Sequence, residues 1–311
     1  MGSETVVTFS HISVMQKEVM AHWVTDPAGL YIDATLGGGG HSHLLLSSFP
    51  LCRLIAIDQD PIAIAAARER LTPFGNRVDF RCGNFRDMTS LLAVDERHEV
   101  DGVLFDLGVS SPQLDVAVRG FGYQDPEAPL DMRMDPTNTV TAFRLVNMKS
   151  KDEITRVLSE WGEERWASRI ADFIVRSRER EPIRTTGQLV ELIKAAIPAS
   201  ARRTGGHPAR RTFQALRIWV NDELGALTAG LEQARTAIHP GGSVVVISFQ
   251  SLEDRIVKHS FRHWQEIGDG TVITRRPLLP SEQEVQDNPR SRSAKLRVFS
   301  LGRRDIEDSR R

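Results

Sequence analysis

The chain has 311 residues, of which 40% are hydrophobic and 26% charged, and its formal net charge at pH 7 is −1. This composition argues against a disordered chain, and no apolar run approaches the roughly 18 residues of a membrane span. The two cysteines, Cys52 and Cys82, lack the spacing of a metal site or a disulfide framework. With no secretory signal in the first ten residues, we expect a cytoplasmic protein.

The first third of the chain alternates between strand and helix patterns. Four short apolar, β-branched runs predict buried parallel strands at residues 30–34, 53–57, 78–81 and 102–105. A loop and a helix-like segment follow each of the first three runs, which is typical of a parallel α/β sheet. Asp60 and Pro61 have the pattern of an N-cap and a first helical turn, and predict a helix to about Leu71.

Residues 114–211 show helix patterns and no clear strand. Ser150 and Glu153 have the spacing of a capping box, and further helices are predicted at 163–180 and 188–197. Trp161 and Trp166 lie at helical spacing, which favours positions in the core of this region over base stacking. The segment 199–211, rich in glycine and arginine, is predicted to be a loop.

The strand pattern resumes after residue 212. A helix predicted at 213–238 leads to a strand at 243–247, and weaker strands follow at 271–274 and 295–301. We therefore predict an α/β fold with a mostly parallel, Rossmann-like sheet. The sheet domain would comprise residues 1–113 and 212–311, and residues 114–211 would form an inserted helical domain.

Charge is distributed unevenly along the chain. Residues 144–219 hold 16 Lys and Arg against 9 Asp and Glu, whereas residues 1–143 hold 10 against 19. A basic middle segment in a nearly neutral protein indicates a surface for a polyanion such as RNA. A solvated, arginine-rich helical face explains the charge equally well.

The first predicted strand runs into a glycine-rich turn, Asp33-Ala-Thr-Leu-Gly-Gly-Gly-Gly-His41, which includes Gly39 and Gly40. Glycines permit a sharp turn and a close approach of the backbone to a ligand. Asp58 ends the second strand, where a carboxylate can accept hydrogen bonds from the ribose of an adenosine. NAD and S-adenosylmethionine both carry that ribose. The turn lacks the third glycine of a dinucleotide site, which favours S-adenosylmethionine.

Two later segments complete the predicted site. Phe85, just beyond the third strand, is a candidate to contact adenine, with a core position as the alternative. After the fourth strand, the order Asp106-Leu-Gly-Val-Ser110-Ser-Pro-Gln113 resembles the polar-x-Pro loop with which amino-methyltransferases hold a target amine. Asp106 is the first candidate to accept a hydrogen bond from that amine and Ser110 the second, while a loop cap is the structural alternative for Asp106.

The sequence as a whole resembles the ribosomal RNA small subunit methyltransferase H family. The matching segments are long and span the chain. They include His11–Met15, Asp33–Ser42, Ala56–Pro61, Asp106–Asp115, Arg119–Phe121, Leu130–Asp135, Gly162–Arg165, Arg211–Arg217, Ser248–Arg255 and Asn288–Arg292. There are two departures: Gln250 stands where the family usually has histidine, and Gly38 stands where a larger residue is common.

This resemblance implies an enzyme that transfers a methyl group from S-adenosylmethionine to N4 of a cytidine in the decoding centre of 16S rRNA. Its partner would be 16S rRNA or the small ribosomal subunit, and a homodimer is a further hypothesis. The implied cofactor contacts are Gly39, Gly40, His41, Asp58, Phe85, Asp106 and Gln113. No catalytic metal is expected. The competing interpretations are an amino-methyltransferase of DNA or another RNA, an NAD-dependent oxidoreductase, and a non-catalytic RNA-binding assembly protein.

Overall fold

The fold is organised around a single sheet of seven strands, in the order β3-β2-β1-β4-β5-β7-β6. The structure is a computed structural model, and it describes residues 13–110, 113, 116–203 and 206–302. The first five strands pair in parallel, while β7 pairs antiparallel with both β5 and β6. The strands are β1 Leu30–Asp33, β2 Arg53–Asp58, β3 Val78–Cys82, β4 Val100–Asp106, β5 Ile238–Ser248, β6 Gly270–Val272 and β7 Lys295–Leu301. The predicted α/β class and mostly parallel sheet are confirmed.

The central strands are apolar because both faces of the sheet are buried. Successive side chains of a strand point to opposite faces. Val103 and Phe105 of β4 therefore join one apolar cluster, and Leu104 joins the other. Continuous apolar runs are what parallel strands covered on both faces require.

The chain divides into two compact units. The sheet unit comprises Met1–Ser111 and Ala226–Arg311, and the helical unit comprises Pro112–Gly225. Helices of the first segment of the sheet unit are α1 Gln16–Trp23, α2 Gly40–Ser48, α3 Pro61–Leu71 and α4 Met88–Leu91. The Asp60 carboxylate accepts a hydrogen bond from the Ile62 N–H at 3.0 Å, which confirms the predicted cap of α3.

The helical unit contains α5 Ala142–Met148, α6 Lys151–Glu160, α7 Ala167–Arg178, α8 Thr186–Ala196 and α9 Arg210–Asn221. The predicted capping box begins α6: Ser150 Oγ accepts from the Glu153 N–H at 3.2 Å, and Glu153 Oε2 accepts from the Ser150 N–H at 3.0 Å. Between residues 116 and 225, excluding 204–205, the only β-structure is a single bridge between Pro129 and Thr185.

The start of α7 differs from the prediction. The helix begins at Ala167 rather than near residue 163, because Glu163 has a positive φ of 47° and Trp166 lies outside helical geometry. The prediction that Trp161 and Trp166 are core residues is only partly right. Both side chains are partly buried, and the fully buried tryptophans of the described residues are Trp23 and Trp264.

The prediction of a single helix at 213–238 is wrong. It is broken at Asp222, whose φ of 46° and ψ of 44° are left-handed, and the chain continues as α10, Glu223–Ala237. Aspartate tolerates this conformation better than most residues. The prediction also placed a domain boundary after residue 211, whereas α9 packs against α5 and α6 and the helical unit ends at Gly225.

The remaining helices follow β5 in the sheet unit: α11 Ser251–Glu266 and α12 Glu282–Asp287. Throughout the described residues, none of the helices combines the length and apolar character needed to cross a membrane.

Candidate active site

Three acidic residues stand at the carboxyl ends of adjacent strands. Asp33 ends β1, Asp58 ends β2 and Asp106 ends β4. The strand order reverses between β1 and β4, which is the position where open α/β sheets bind ligands.

The glycine-rich turn lies directly beyond β1. Gly37 and Gly39 have positive φ values of 50° and 71°, which favour glycine. Gly40 begins α2, and a Cβ there would collide with the Ser13 hydroxyl. Gly38 differs, because a Cβ at that position would have no atom within 4 Å. The turn therefore has room for the larger residue that the family commonly carries at Gly38.

The Asp58 carboxylate connects the end of β2 to the glycine-rich turn. Its Oδ2 accepts a hydrogen bond from the Gly37 N–H, and its Oδ1 accepts one from the Asp60 N–H, both at 2.8 Å. Burial raises the pKa of this carboxyl to about 6. Each carboxylate oxygen can accept two hydrogen bonds, so the ionised group keeps capacity for a ligand.

Asp33 is a member of the site that was not predicted from the sequence. Its buried carboxylate accepts hydrogen bonds from Ser42 Oγ at 2.6 Å and from the Thr35 N–H at 3.2 Å. Burial raises its pKa to about 6. The signal was present, since Asp33 is the last residue of the first strand and begins the turn.

His41 and Asp106 form a pair with unused hydrogen-bonding atoms. His41 is buried, with its Nε2 3.6 Å from Asp106 Oδ2. Neither ring nitrogen of His41 makes a hydrogen bond with the described residues, and neither does the buried Oδ1 of Asp106. Buried polar atoms are nearly always satisfied, so these atoms are suited to a polar ligand. The Asp106 N–H donates to Thr35 Oγ1 at 2.6 Å, which fixes the backbone beside the turn.

Phe85 lies beyond β3 and is partly buried. Its ring packs edge-to-face on Phe105, with 5.4 Å between centroids, and a Cβ on Gly230 of α10 would collide with it. The residue thus belongs in part to the apolar core. The Asn84 side chain before it donates to Gln59 Oε1 at 2.8 Å, so the ends of β2 and β3 are held together.

The loop after β4 is described in part. Ser110 adjoins the glycine-rich turn, because a Cβ on Gly37 would lie 3.5 Å from the Ser110 Cβ. Ser111 and Pro112 lie outside the described residues. Gln113 is buried and belongs to the helical unit, whereas Asp58 and Asp106 belong to the sheet unit. The place of Gln113 in the cofactor site therefore stays a prediction.

Gln250 lies at the carboxyl end of β5, just before α11. The N–H groups of Phe249 and Gln250 both donate to Glu253 Oε2, at 2.9 and 3.1 Å. The buried Oε1 of Gln250 makes no hydrogen bond with the described residues. A Cβ on Gly108 would lie 3.7 Å from the Phe249 ring, so this segment borders the loop after β4.

This edge of the sheet fits a polar cofactor that carries an adenosine. The glycine-rich turn leaves room for the ligand, and Asp58, Asp106 and His41 have atoms that can still form hydrogen bonds beyond those made with the described residues. Among the residues that the structure describes, no group of three or more His, Cys, Asp or Glu side chains is arranged to hold a metal ion.

Comparisons with known proteins identify the family. The model of the MraW methylase family matches residues 8–301. Proteins named ribosomal RNA small subunit methyltransferase H are similar along nearly their whole length. The one from Symbiobacterium thermophilum is 53% identical over 94% of this chain and 96% of its own, and the one from Clostridioides difficile is 46% identical over 93% and 98%.

A solved structure of a putative methyltransferase from Streptococcus mutans in complex with SAH is 10% identical, with a TM-score of 0.42 over 92% of this chain and 94% of that chain. The family match confirms the resemblance seen in the sequence and S-adenosylmethionine as the cofactor. The chain belongs to the MraW methylase family.

Proposed function

We propose that this protein methylates N4 of a cytidine in the decoding centre of 16S rRNA, with the small ribosomal subunit as its substrate. The relatives named ribosomal RNA small subunit methyltransferase H support the class of RNA. The observation that carries the chemistry is Asp106, whose buried Oδ1 has no hydrogen bond to the described residues at the end of β4.

The cofactor-binding residues of this proposal are those at the ends of β1, β2 and β3. Asp58 would accept hydrogen bonds from ribose hydroxyls, and the turn at Gly39 and Gly40 would let the backbone approach the ligand. Phe85 would contact adenine with the part of its ring that the core leaves free. The His41–Asp106 pair would complete the set within the sheet unit, and a contact of Gln113 with the cofactor is a separate prediction from the family resemblance. When bound, the cofactor supplies a methyl group on a positively charged sulfur.

The protein's chemical task is to make a weak nucleophile react. The lone pair on N4 of cytosine is delocalised into the ring, so the amine must be held in line and its N–H groups must find acceptors. Asp106 Oδ1 would accept one N–H, and Asp106 would also take the proton that the amine loses. Positioning supplies the larger share of such a rate enhancement, and an acceptor adds about 10²–10⁴-fold.

His41 and Ser110 have supporting roles in this mechanism. His41 lies 3.6 Å from Asp106 Oδ2, where it would orient the carboxylate. Ser110 is the second candidate acceptor, because it adjoins the turn beside Asp106.

The RNA would be held by the inserted, basic helical unit. Arg165, Arg169, Arg202, Arg210 and Arg211 are exposed there and would contact phosphates. The side chain of Arg203, which belongs to the same basic stretch of sequence, lies outside the described residues. The target base must leave its stack to reach a buried amine acceptor, as base-modifying enzymes require.

The test is methylation of small ribosomal subunits isolated from cells that lack this protein. Purified protein and tritiated S-adenosylmethionine are added, and nucleosides of the RNA are analysed by mass spectrometry. We expect label in N4-methylcytidine at one decoding-centre position. Label in another base, or in DNA but not in the subunit, would overturn the proposal, and binding without transfer would favour an assembly protein. A homodimer and a cytosolic location are separate predictions, which light scattering and cell fractionation test.

A further inference from the structure

A surface groove of about 450 Å³ lies in the helical unit. It is lined by Lys151 of α6, by Arg165 and Trp166 before α7, and by Ser168, Arg169 and Asp172 of α7. We call it the α6–α7 groove. None of the residues that the proposed function assigns to cofactor or catalysis lines it.

Trp166 is an unusual residue for such a groove. Its backbone is fixed, because the Trp166 N–H donates to the buried Glu164 carboxylate at 2.9 Å. Its indole is only partly buried and makes no hydrogen bond with the described residues. A large apolar ring held at a surface is more typical of a binding site than of a folding core.

The charges in the α6–α7 groove favour an anionic partner. The groove has three cationic side chains against one carboxylate, and that carboxylate is already engaged: Asp172 binds Lys151 at 2.8 Å and Arg176 at 3.0 Å. Arg165 and Arg169 are exposed and form no ion pair within the described part of the chain. Their guanidinium groups lie beside aromatic rings, Arg165 at 5.5 Å from the Trp166 centroid and Arg169 at 5.8 Å from that of Phe173.

The segment that precedes the groove contacts the start of α9. Arg211 Nη1 donates to the Glu163 carbonyl at 2.9 Å, two residues before Arg165. A Cβ on Gly162 would lie 2.7 Å from the Arg211 carbonyl oxygen, so the two segments are in direct contact. The arginines at the start of α9 therefore lie next to the segment that leads into the α6–α7 groove.

We propose that the α6–α7 groove binds one unpaired nucleotide of the RNA substrate, with its base stacked at Trp166 and its phosphates held by Arg165, Arg169 and Lys151. This rests on the proposed function for the class of substrate. The indole favours a nucleotide over an acidic peptide as the partner. An acidic peptide would need only the cations, whereas a nucleotide uses a planar ring and a positive charge together. The base stacks on the indole, which is a planar surface of the kind that RNA-binding proteins use, and the Arg165 guanidinium beside it contacts a phosphate.

The first test measures binding of the full-length protein to two probes, isolated small ribosomal subunits and a single-stranded RNA containing 5-iodouridine. We expect Trp166→Ala to weaken binding about 5- to 150-fold, the range that follows from base stacking of about 1–3 kcal/mol. Trp166→Phe keeps an aromatic ring and should retain most of the affinity. Arg165→Ala with Arg169→Ala should weaken binding and reduce its salt dependence.

The matched control is Arg156→Ala with Arg180→Ala, which removes two exposed arginines of the same unit that do not line the groove. Its affinity should fall less than that of the Arg165 and Arg169 variant. Ultraviolet crosslinking of the wild-type protein to the 5-iodouridine RNA, with peptide mapping, should identify Trp166. This measurement needs no variant and is valid even where Trp166→Ala does not fold.

Three outcomes would overturn the inference: a folded Trp166→Ala with wild-type affinity, loss of affinity in the arginine variant alone, and crosslinks confined to the sheet unit. The arginine result alone would indicate a site for phosphates or acidic peptides without base stacking. Because these measurements record binding and not methyl transfer, they are independent of the cytidine test. A protein that fails to methylate N4 but loses RNA affinity with Trp166→Ala keeps the inference and loses the proposed function.

Discussion

The carboxylates at the carboxyl ends of β1, β2 and β4 carry most of the chemistry proposed at the scale of single residues. Asp33 and Asp58 each accept hydrogen bonds from the turn or from the start of a helix, whereas Asp106 Oδ1 accepts none from the part of the chain that the structure describes. We therefore expect the three groups to have different tasks. Asp33 and Asp58 would shape the cofactor site, and Asp106 would be available to the target amine.

Asp106→Asn should separate catalysis from binding. The amide keeps the shape of the side chain but removes its charge and its ability to take a proton. We expect single-turnover methyl transfer at saturating S-adenosylmethionine to fall at least about 10²-fold. Affinities for cofactor and RNA, measured separately by calorimetry, should change less. A near wild-type rate at saturation would show that Asp106 only holds the cofactor and would move the acceptor role to Ser110.

Cofactor affinity should depend on pH through Asp58. The folded pKa of about 6 lies above the ordinary value of 3.8, so the protonated carboxyl favours folding. That stabilisation is complete below about pH 4 and is lost as pH rises through 6. Cofactor affinity should depend on pH in the opposite direction, because a ribose hydroxyl donates its hydrogen bond to the ionised carboxylate. We expect affinity to be constant from about pH 7 to 8 and to fall below about pH 6, by at most about tenfold per pH unit for this group.

Calorimetry of S-adenosylmethionine binding at several pH values checks this dependence. Asp58→Ala should weaken binding about 10- to 150-fold at about pH 7.5, the cost of losing a charge-assisted hydrogen bond. Burial also raises the pKa of Asp33 to about 6. In Asp58→Ala, the decrease of cofactor affinity with falling pH below about 6 should therefore be smaller but should not disappear. Unchanged affinity in a folded Asp58→Ala variant would remove Asp58 from the cofactor site.

At the scale of elements, the glycine-rich turn between β1 and α2 provides a matched pair of substitutions. Gly39→Ala places a Cβ on left-handed backbone and 3.3 Å from the Ala67 Cβ, so it should destabilise the protein by at least about 1–2 kcal/mol. Gly38→Ala adds a methyl group in open space and should be neutral or stabilising by up to about 1 kcal/mol. Urea denaturation of both variants measures the difference, and equal stabilities would contradict the assigned turn geometry.

The end of α9 depends on one buried side chain. Asn221 Nδ2 donates to the Met132 carbonyl and Asn221 Oδ1 accepts from the Met134 N–H, both at 2.8 Å. Asn221→Ala leaves two backbone groups without these partners, at a cost of about 1–3 kcal/mol for each that stays unsatisfied. We expect a lower free energy of unfolding with little change in cofactor affinity. Gln214→Ala, which removes a single hydrogen bond to the Trp161 carbonyl, is a milder control.

At the scale of the whole molecule, the basic helical unit should determine the salt dependence of RNA binding. Replacing Arg202, Arg203, Arg210 and Arg211 with alanine removes cations whose phosphate contacts release counterions. Each lost contact should reduce the slope of log affinity against log salt by about 0.7–0.9. Cofactor affinity should stay the same. Alanine at four exposed cations of the sheet unit, Lys258, Arg262, Arg275 and Arg276, is the control. Equal slopes in the two variants would place the RNA surface elsewhere.

Local patterns in the sequence determined the sheet and much of the site. Apolar runs predicted β2, β4 and β5 because strands buried on both faces exclude polar residues, whereas β3 contains Asp79 and Arg81 and is partly exposed. Asp58 and Asp106 could be found because they end such runs, and the Asp60 cap and the Ser150 capping box depend only on residues a few positions apart. The family resemblance added Gln113 and the RNA substrate, which these local patterns do not determine.

Long-range contacts decided the rest. The helical periodicity of 213–238 continues through Asp222, whereas in the structure α9 ends at Asn221, whose side chain is bonded to residues 132 and 134. Helical spacing predicted core positions for Trp161 and Trp166. Burial, however, depends on which elements pack around a side chain, and the surrounding elements leave both rings partly exposed. The unused atoms of His41 and Asp106 likewise follow from the pairing of β1 with β4, which brings residues about 70 positions apart to one edge of the sheet.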